Sequence, residues 1–145
     1  MIRRWSLILG ILTVLSAAAA AWRSPEMQTK PAQPAGWVLP PNAAETKNPH
    51  TVDDKLIASG RAIYKDKCQR CHGPGGLGDG PDADPEYRED MDLTNPKRAD
   101  RNVDGLVYYK VLNGRRKPKM PAFKDELTPE QIWSVVAYAQ TLRKK

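Results

Sequence analysis

The chain is short of the residues on which most small folds lean. It has one Phe, two His and two Cys among its 145 residues, and aromatics make up only 7% of it. So few large rings leave a core built from side chains alone modest. A large apolar prosthetic group would supply the difference. Zinc held structurally needs four ligands, and the only histidine besides His72 is His50, far upstream. No stretch alternates with a strand period for more than a few residues, which excludes a sheet-based fold, and there is no internal repeat.

Charge is equally unassertive. The formal net charge is +6. From Thr51 onward, 18 Lys+Arg stand against 15 Asp+Glu, so 18 − 15 = +3. Basic residues are not interleaved with aromatics, and no nucleic-acid partner is expected.

The N-terminus has its own organisation. Arg3 and Arg4 precede an apolar stretch, Trp5 to Leu15, followed by small residues from Ser16 to Ala21 where Ala-x-Ala cleavage could occur. That is the layout of an export signal. Trp5 to Trp22 is also 18 residues without a charge, close to the about 20 needed to span a bilayer. Residues 1–22 are therefore a signal peptide or a membrane anchor, and either places the remainder of the chain outside the cytoplasm, in the periplasm. Residues 23–50 hold six prolines and no regular period, which predicts an extended, flexible tether. Trp37-Val38-Leu39 is its one apolar cluster and the candidate to pack on the domain.

Residues 51–145 read as one all-α domain of three to four helices. Thr51-Val52-Asp53-Asp54 predicts a helix start capped by the Thr51 hydroxyl, and the helix runs to about Lys67. Gly60 inside it costs roughly 1 kcal/mol against Ala, so a close helix crossing is expected there. Five glycines and three prolines between Gly73 and Pro85 predict an irregular loop. A short helix is expected over Val103–Leu112, stopped by Gly114. The last helix opens with Thr128 as N-cap, Pro129 in its first turn and Gln131 completing a capping box. Its expected buried stripe is Ile132, Val135, Val136, Ala139 and Leu142.

Cys68-Gln69-Arg70-Cys71-His72 carries the chemistry. Two cysteines three apart can each add to a vinyl group of one haem, and the next residue can then ligate its iron from below. A thioredoxin-like dithiol needs a βαβ context that is missing here. A plain disulfide leaves the adjacent His without a purpose. One covalent haem c, with His72 as proximal ligand, is the expected cofactor. For the other face, Met120 sits in Lys117-Pro118-Lys119-Met120-Pro121, where two prolines brace a loop that can aim a thioether at iron. Its rival is Met91, within an acidic segment. A thioether opposite His favours the reduced state, and filling both axial positions leaves electron transfer as the function.

With these residues in view, the chain resembles the class I c-type cytochromes, in particular the bacterial branch with the pattern C-x-x-C-H-G-x-x-G-x-G-D-G-P. Here that pattern is Cys68 to Pro81. Gly60-x-x-x-Tyr64, Met120-Pro121-Ala122-Phe123 and Leu127-Thr128-Pro129-Glu130 with Trp133 and Tyr138 beyond it fit as well. The resemblance implies a cytochrome c fold with the first and last helices crossing at Gly60, and Tyr64 and Tyr138 packed there. It implies that the Pro81 carbonyl accepts from the second ring nitrogen of His72, and that Leu93 lines the haem pocket.

Two charge runs remain. Asp82 to Asp92 is acidic and is expected to be a solvated loop. Arg115, Arg116, Lys117 and Lys119 flank Met120 and are the expected docking surface for an acidic redox partner. The function expected is that of a single-electron carrier with no reaction of its own. The alternative is an electron-entry haem subunit of an oxidoreductase, anchored through residues 5–22. A sensor or peroxidase would need an open axial position, against which Met120 argues.

Overall fold

The computed structural model describes residues 36–143. The expected signal or anchor, and the tether before Gly36, lie outside them. Six α-helices run in order: α1 Asp54–Lys67, α2 Gln69–His72, α3 Arg88–Met91, α4 Pro96–Ala99, α5 Asp104–Asn113 and α6 Pro129–Thr141. Among the described residues there is no strand, only isolated bridges between Leu77 and Asp92 and between Arg115 and Met120.

The all-α expectation holds, with α1, α5 and α6 as the three long helices. The cap of α1 is Asp53, whose carboxylate accepts from the Leu56 amide at 2.8 Å. That corrects the expected Thr51 cap by two residues; a carboxylate at a helix N-terminus also meets the positive end of the dipole. α1 crosses α6 at Gly60, where a Cβ would lie 1.9 Å from the Ser134 carbonyl oxygen. Only a bare Cα admits that approach. Tyr64, one turn on, packs against Tyr138 with ring centroids 5.1 Å apart.

α6 opens with the predicted capping box: Thr128 Oγ1 accepts from the Gln131 amide at 3.2 Å, and Gln131 Oε1 accepts from the Thr128 amide at 2.8 Å. Every residue from Ile132 to Ala137 is buried, so the middle of the helix is covered all round and not along one stripe, while its first turn is exposed. The core joins Val111 of α5, Phe123, and Ile132, Trp133 and Val136 of α6. Tyr108 stacks on Trp133 at 4.3 Å. The lone Phe of the chain is thus spent in this core.

Residues 36–50 are the main departure from expectation. They pack on α5 and do not form a free tether: a short 3-10 turn, Ala43–Glu45, lies against it so closely that a Cβ on Gly105 would sit 2.0 Å from the Ala43 carbonyl oxygen. Asn113 Nδ2 donates to the Val38 carbonyl at 2.7 Å. Proline content predicted an extended backbone, and Trp37 and Ala43 give that backbone something to bury.

Candidate functional site

The C-x-x-C-H motif sits at a joint. Cys68 ends α1 and begins α2, with φ −113° and ψ −38°. The single turn beyond it is closed by the Cys71 and His72 amides, donating to the Cys68 carbonyl at 3.2 and 3.0 Å. Helical spacing of three and four puts Cys68, Cys71 and His72 on one face. All three line one cavity of about 250 Å³.

The loop after the motif is stitched back onto it residue by residue. Gly78 N donates to His72 O at 2.9 Å, Gly80 N to Cys71 O at 3.3 Å and Asp82 N to Arg70 O at 2.7 Å. Arg70 and Asp82 clamp the same edge with two side-chain bonds at 2.6 and 2.9 Å. The Tyr64 hydroxyl donates to Gly73 O at 2.7 Å from the side of α1. Burial drives the Tyr64 phenol well above its usual range and so keeps it a neutral donor.

His72 Nδ1 lies 2.7 Å from the Met91 carbonyl oxygen. A carbonyl can only accept, so Nδ1 carries the proton and Nε2 keeps its lone pair for a metal. Burial pushes the imidazole pKa down, opposed by the Met91 bond and reinforced by Arg115. This corrects the expectation for Pro81. Pro81 is exposed and absent from the cavity lining, because the stitched loop holds it against the outside of the motif. The carbonyl at the imidazole comes from the end of α3 instead, and Met91 itself is buried. An isolated apolar residue in an acidic run was the available signal, since such a residue has little reason to face water.

Leu93 lines the cavity. Its amide donates to Gly76 O at 2.7 Å, and Asp92 Oδ1 accepts from both the amide and the hydroxyl of Thr94 at 2.8 Å. Met120 also lines it, on a loop closed by paired backbone bonds to Arg115 at 2.9 Å each. The Lys117–Pro118 peptide in that loop is cis.

The charge runs divide. Arg116, Lys117 and Lys119 are exposed, while Arg115 turns inward, its side chain 16% exposed, and lines the cavity. The acidic run is not simply solvated: Asp82 is clamped by Arg70, and Asp90 meets Arg98 at 2.7 Å and Arg115 at 3.7 Å.

These residues fit a covalent haem. Both thiols are free and line the same cavity as an imidazole with a bare Nε2. Burial, with smaller contributions from the neighbouring Cys71 and Asp66, pushes the Cys68 thiol up to about 12, and burial also raises Cys71. Thiols held protonated are poor dithiol–disulfide reagents. One cavity-lining donor, Arg115 Nε, is buried and has no partner among the described residues, as expected where an anion binds.

Residues 55–138 match the family model described as cytochrome C oxidase, cbb3-type, subunit III. A cbb3-type cytochrome c oxidase subunit FixP from Sinorhizobium medicae (strain WSM419) is 30% identical over 88 residues, which is 59% of this chain. The chain spans only 30% of the length of that relative. Among solved structures, the KustC0563 c-type cytochrome aligns over 59% of this chain and 98% of its own, at 26% identity and a TM-score of 0.47. A Kuenenia stuttgartiensis structure, the reducing HAO-like protein complex Kustc0457/Kustc0458, aligns over 71% of this chain and 55% of its own. At 23% identity and a TM-score of 0.51, that likeness is one of fold.

Proposed function

Because the chain belongs to the cbb3-type cytochrome c oxidase subunit III family, and so is an electron-transfer protein carrying covalent haem c, we propose a specific set of residues for the work. Cys68 and Cys71 form the two thioethers. His72 is the proximal iron ligand, oriented by the Met91 carbonyl, and Met120 is the distal one. Bound haem supplies a one-electron couple; the chain supplies ligands, burial and water exclusion. With both axial positions filled by side chains, the domain catalyses no reaction of its own. The observation that carries this reading is the His72 Nδ1–Met91 O bond of 2.7 Å, which leaves Nε2 deprotonated inside a cavity that two free thiols also line.

Two experiments test it on the full chain matured with its haem-attachment system. The denatured polypeptide keeps the added mass of one haem, and Cys68→Ala or Cys71→Ala weakens or abolishes that attachment. The reduced spectrum is unmoved by carbon monoxide at neutral pH, and Met120→Ala makes it sensitive. A polypeptide of bare amino-acid mass overturns the reading, and carbon monoxide binding to the unaltered protein overturns Met120.

The domain passes electrons between redox proteins outside the cytoplasm, docking through Arg116, Lys117 and Lys119; Arg115, turned inward, leaves this set. A second reading is favoured by the relative named as an oxidase subunit: the chain is the electron-entry haem subunit of a membrane oxidoreductase, held by residues 5–22. No helix among the described residues is long and apolar enough to cross a membrane. Mass spectrometry of the mature N-terminus decides: a cleaved start near residue 22 favours the carrier, an intact one the subunit.

A further inference from the structure

Part of the cavity lining is out of charge balance. Arg98, Lys110 and Arg115 all line it. They gather around a single carboxylate and a single ring. Asp90 lies 2.7 Å from Arg98 and 3.7 Å from Arg115. The Trp37 ring lies 4.3 Å from the Arg115 guanidinium carbon and 5.3 Å from Lys110 Nζ. Lys110 also donates to Asn102 Oδ1. Three cations therefore share one anion in a half-buried setting, where like charges repel strongly. Burial lowers the pKa of both Lys110 and Arg115; Arg98 lowers both further, and Asp90 opposes it in each. Arg115 Nε has no partner among the described residues although it is buried. Leaving such a donor unpaired costs about 1–3 kcal/mol.

A carboxylate is the group that answers all of this. It supplies the missing charge, and it accepts from the guanidinium fork through two oxygens. Trp37 has a place in the arrangement. Its ring lies against the guanidinium and backs Arg115 by cation–π attraction. Trp37 belongs to the segment that packs on α5 upstream of residues 55–138, so this contact comes from outside the stretch shared with the family.

We propose that Arg98, Lys110 and Arg115, with Trp37 backing the guanidinium of Arg115, form a carboxylate-receiving subsite that takes the haem propionates. The proposal rests on the haem reading above. It makes the segment around Trp37 part of the cofactor site. Pairing the propionates with fixed cations removes negative charge from beside the iron, which disfavours the ferric state and raises the potential.

The test uses the full haem-loaded chain and compares R115Q, K110Q and W37L with R116Q, which alters an exposed cation on the same loop. Denatured mass first establishes that each variant carries haem; loss of haem from the unaltered protein speaks against the underlying reading and not this one. Resonance Raman then reads the propionate bending modes, and a redox titration the midpoint potential. We expect shifted propionate modes in R115Q and K110Q with a lower potential, a smaller shift in the same direction for W37L, and none for R116Q. R115K keeps the charge but loses the fork, so it should shift the modes while holding the potential near that of the unaltered protein; it also serves if R115Q fails to accumulate. Haem-loaded R115Q, R115K and K110Q with propionate modes unchanged overturn the proposal, whatever happens to the potential. They would leave a carboxylate of a docked partner as the anion.

Discussion

The Tyr64 hydroxyl donates to the carbonyl oxygen of Gly73 at 2.7 Å, joining α1 to the residue directly after the proposed iron ligand. Both residues are buried, so this carbonyl has no water to turn to. Tyr64→Phe keeps the packing against Tyr138 and deletes only the donor. A destabilisation of about 1–3 kcal/mol is expected, read from urea unfolding monitored by circular dichroism. Tyr64→Phe as stable as the unaltered protein would show that the bond is dispensable.

Gly60→Ala sets two effects against each other. Alanine gains roughly 1 kcal/mol in helix propensity. The new methyl meets the Ser134 backbone at 1.9 Å, and backbone atoms cannot swing aside as a side-chain tip can. Steric overpacking wins, with a net loss of about 1–3 kcal/mol. Thermal unfolding of the haem-loaded variant measures it; an unchanged or raised midpoint would contradict the crossing.

Thr128→Ala removes one half of the α6 capping box. The lost acceptor costs about 1 kcal/mol, and the reciprocal bond from Gln131 loses the geometry that held it. Thr128→Ser restores the oxygen and should recover most of the loss in the same unfolding assay.

Ferricyanide, an anionic oxidant, probes the exposed basic loop without any knowledge of the natural partner. Its bimolecular reduction should slow as ionic strength rises, and in the R116Q/K117Q/K119Q triple variant at low salt it should slow by on the order of tenfold. Stopped-flow rates at several salt concentrations check this. A flat salt dependence would remove the loop as a steering surface.

Legibility in the sequence tracks the range of the interactions concerned. The start of α6 could be read to the residue because Thr128, Pro129 and Gln131 act within one turn. The Gly60 crossing could be inferred because a glycine inside a helix needs a reason. The hydrogen bond to His72 could not: it joins residues 19 apart, and nothing local to Met91 marks its carbonyl as an acceptor. The resemblance placed that duty on Pro81, which the backbone bonds of the loop hold outside. Arg115 was hidden differently, since four neighbouring cations look alike in a string and only contacts distant in sequence, with Trp37 and Asp90, single one out. Segment 36–50 was misjudged because proline content reports on backbone preference, while packing depended on α5, more than fifty positions away.

That last segment bears on how the domain can be excised. A fragment starting at Thr51, where the composition changes, would strip Trp37 from Arg115 and bare the face of α5 that Ala43 covers. It would still contain every residue named in the C-x-x-C-H motif and the methionine loop. A haem titration of such a truncated protein would therefore describe a molecule whose cavity has lost part of its lining, and the workable cut lies before Gly36.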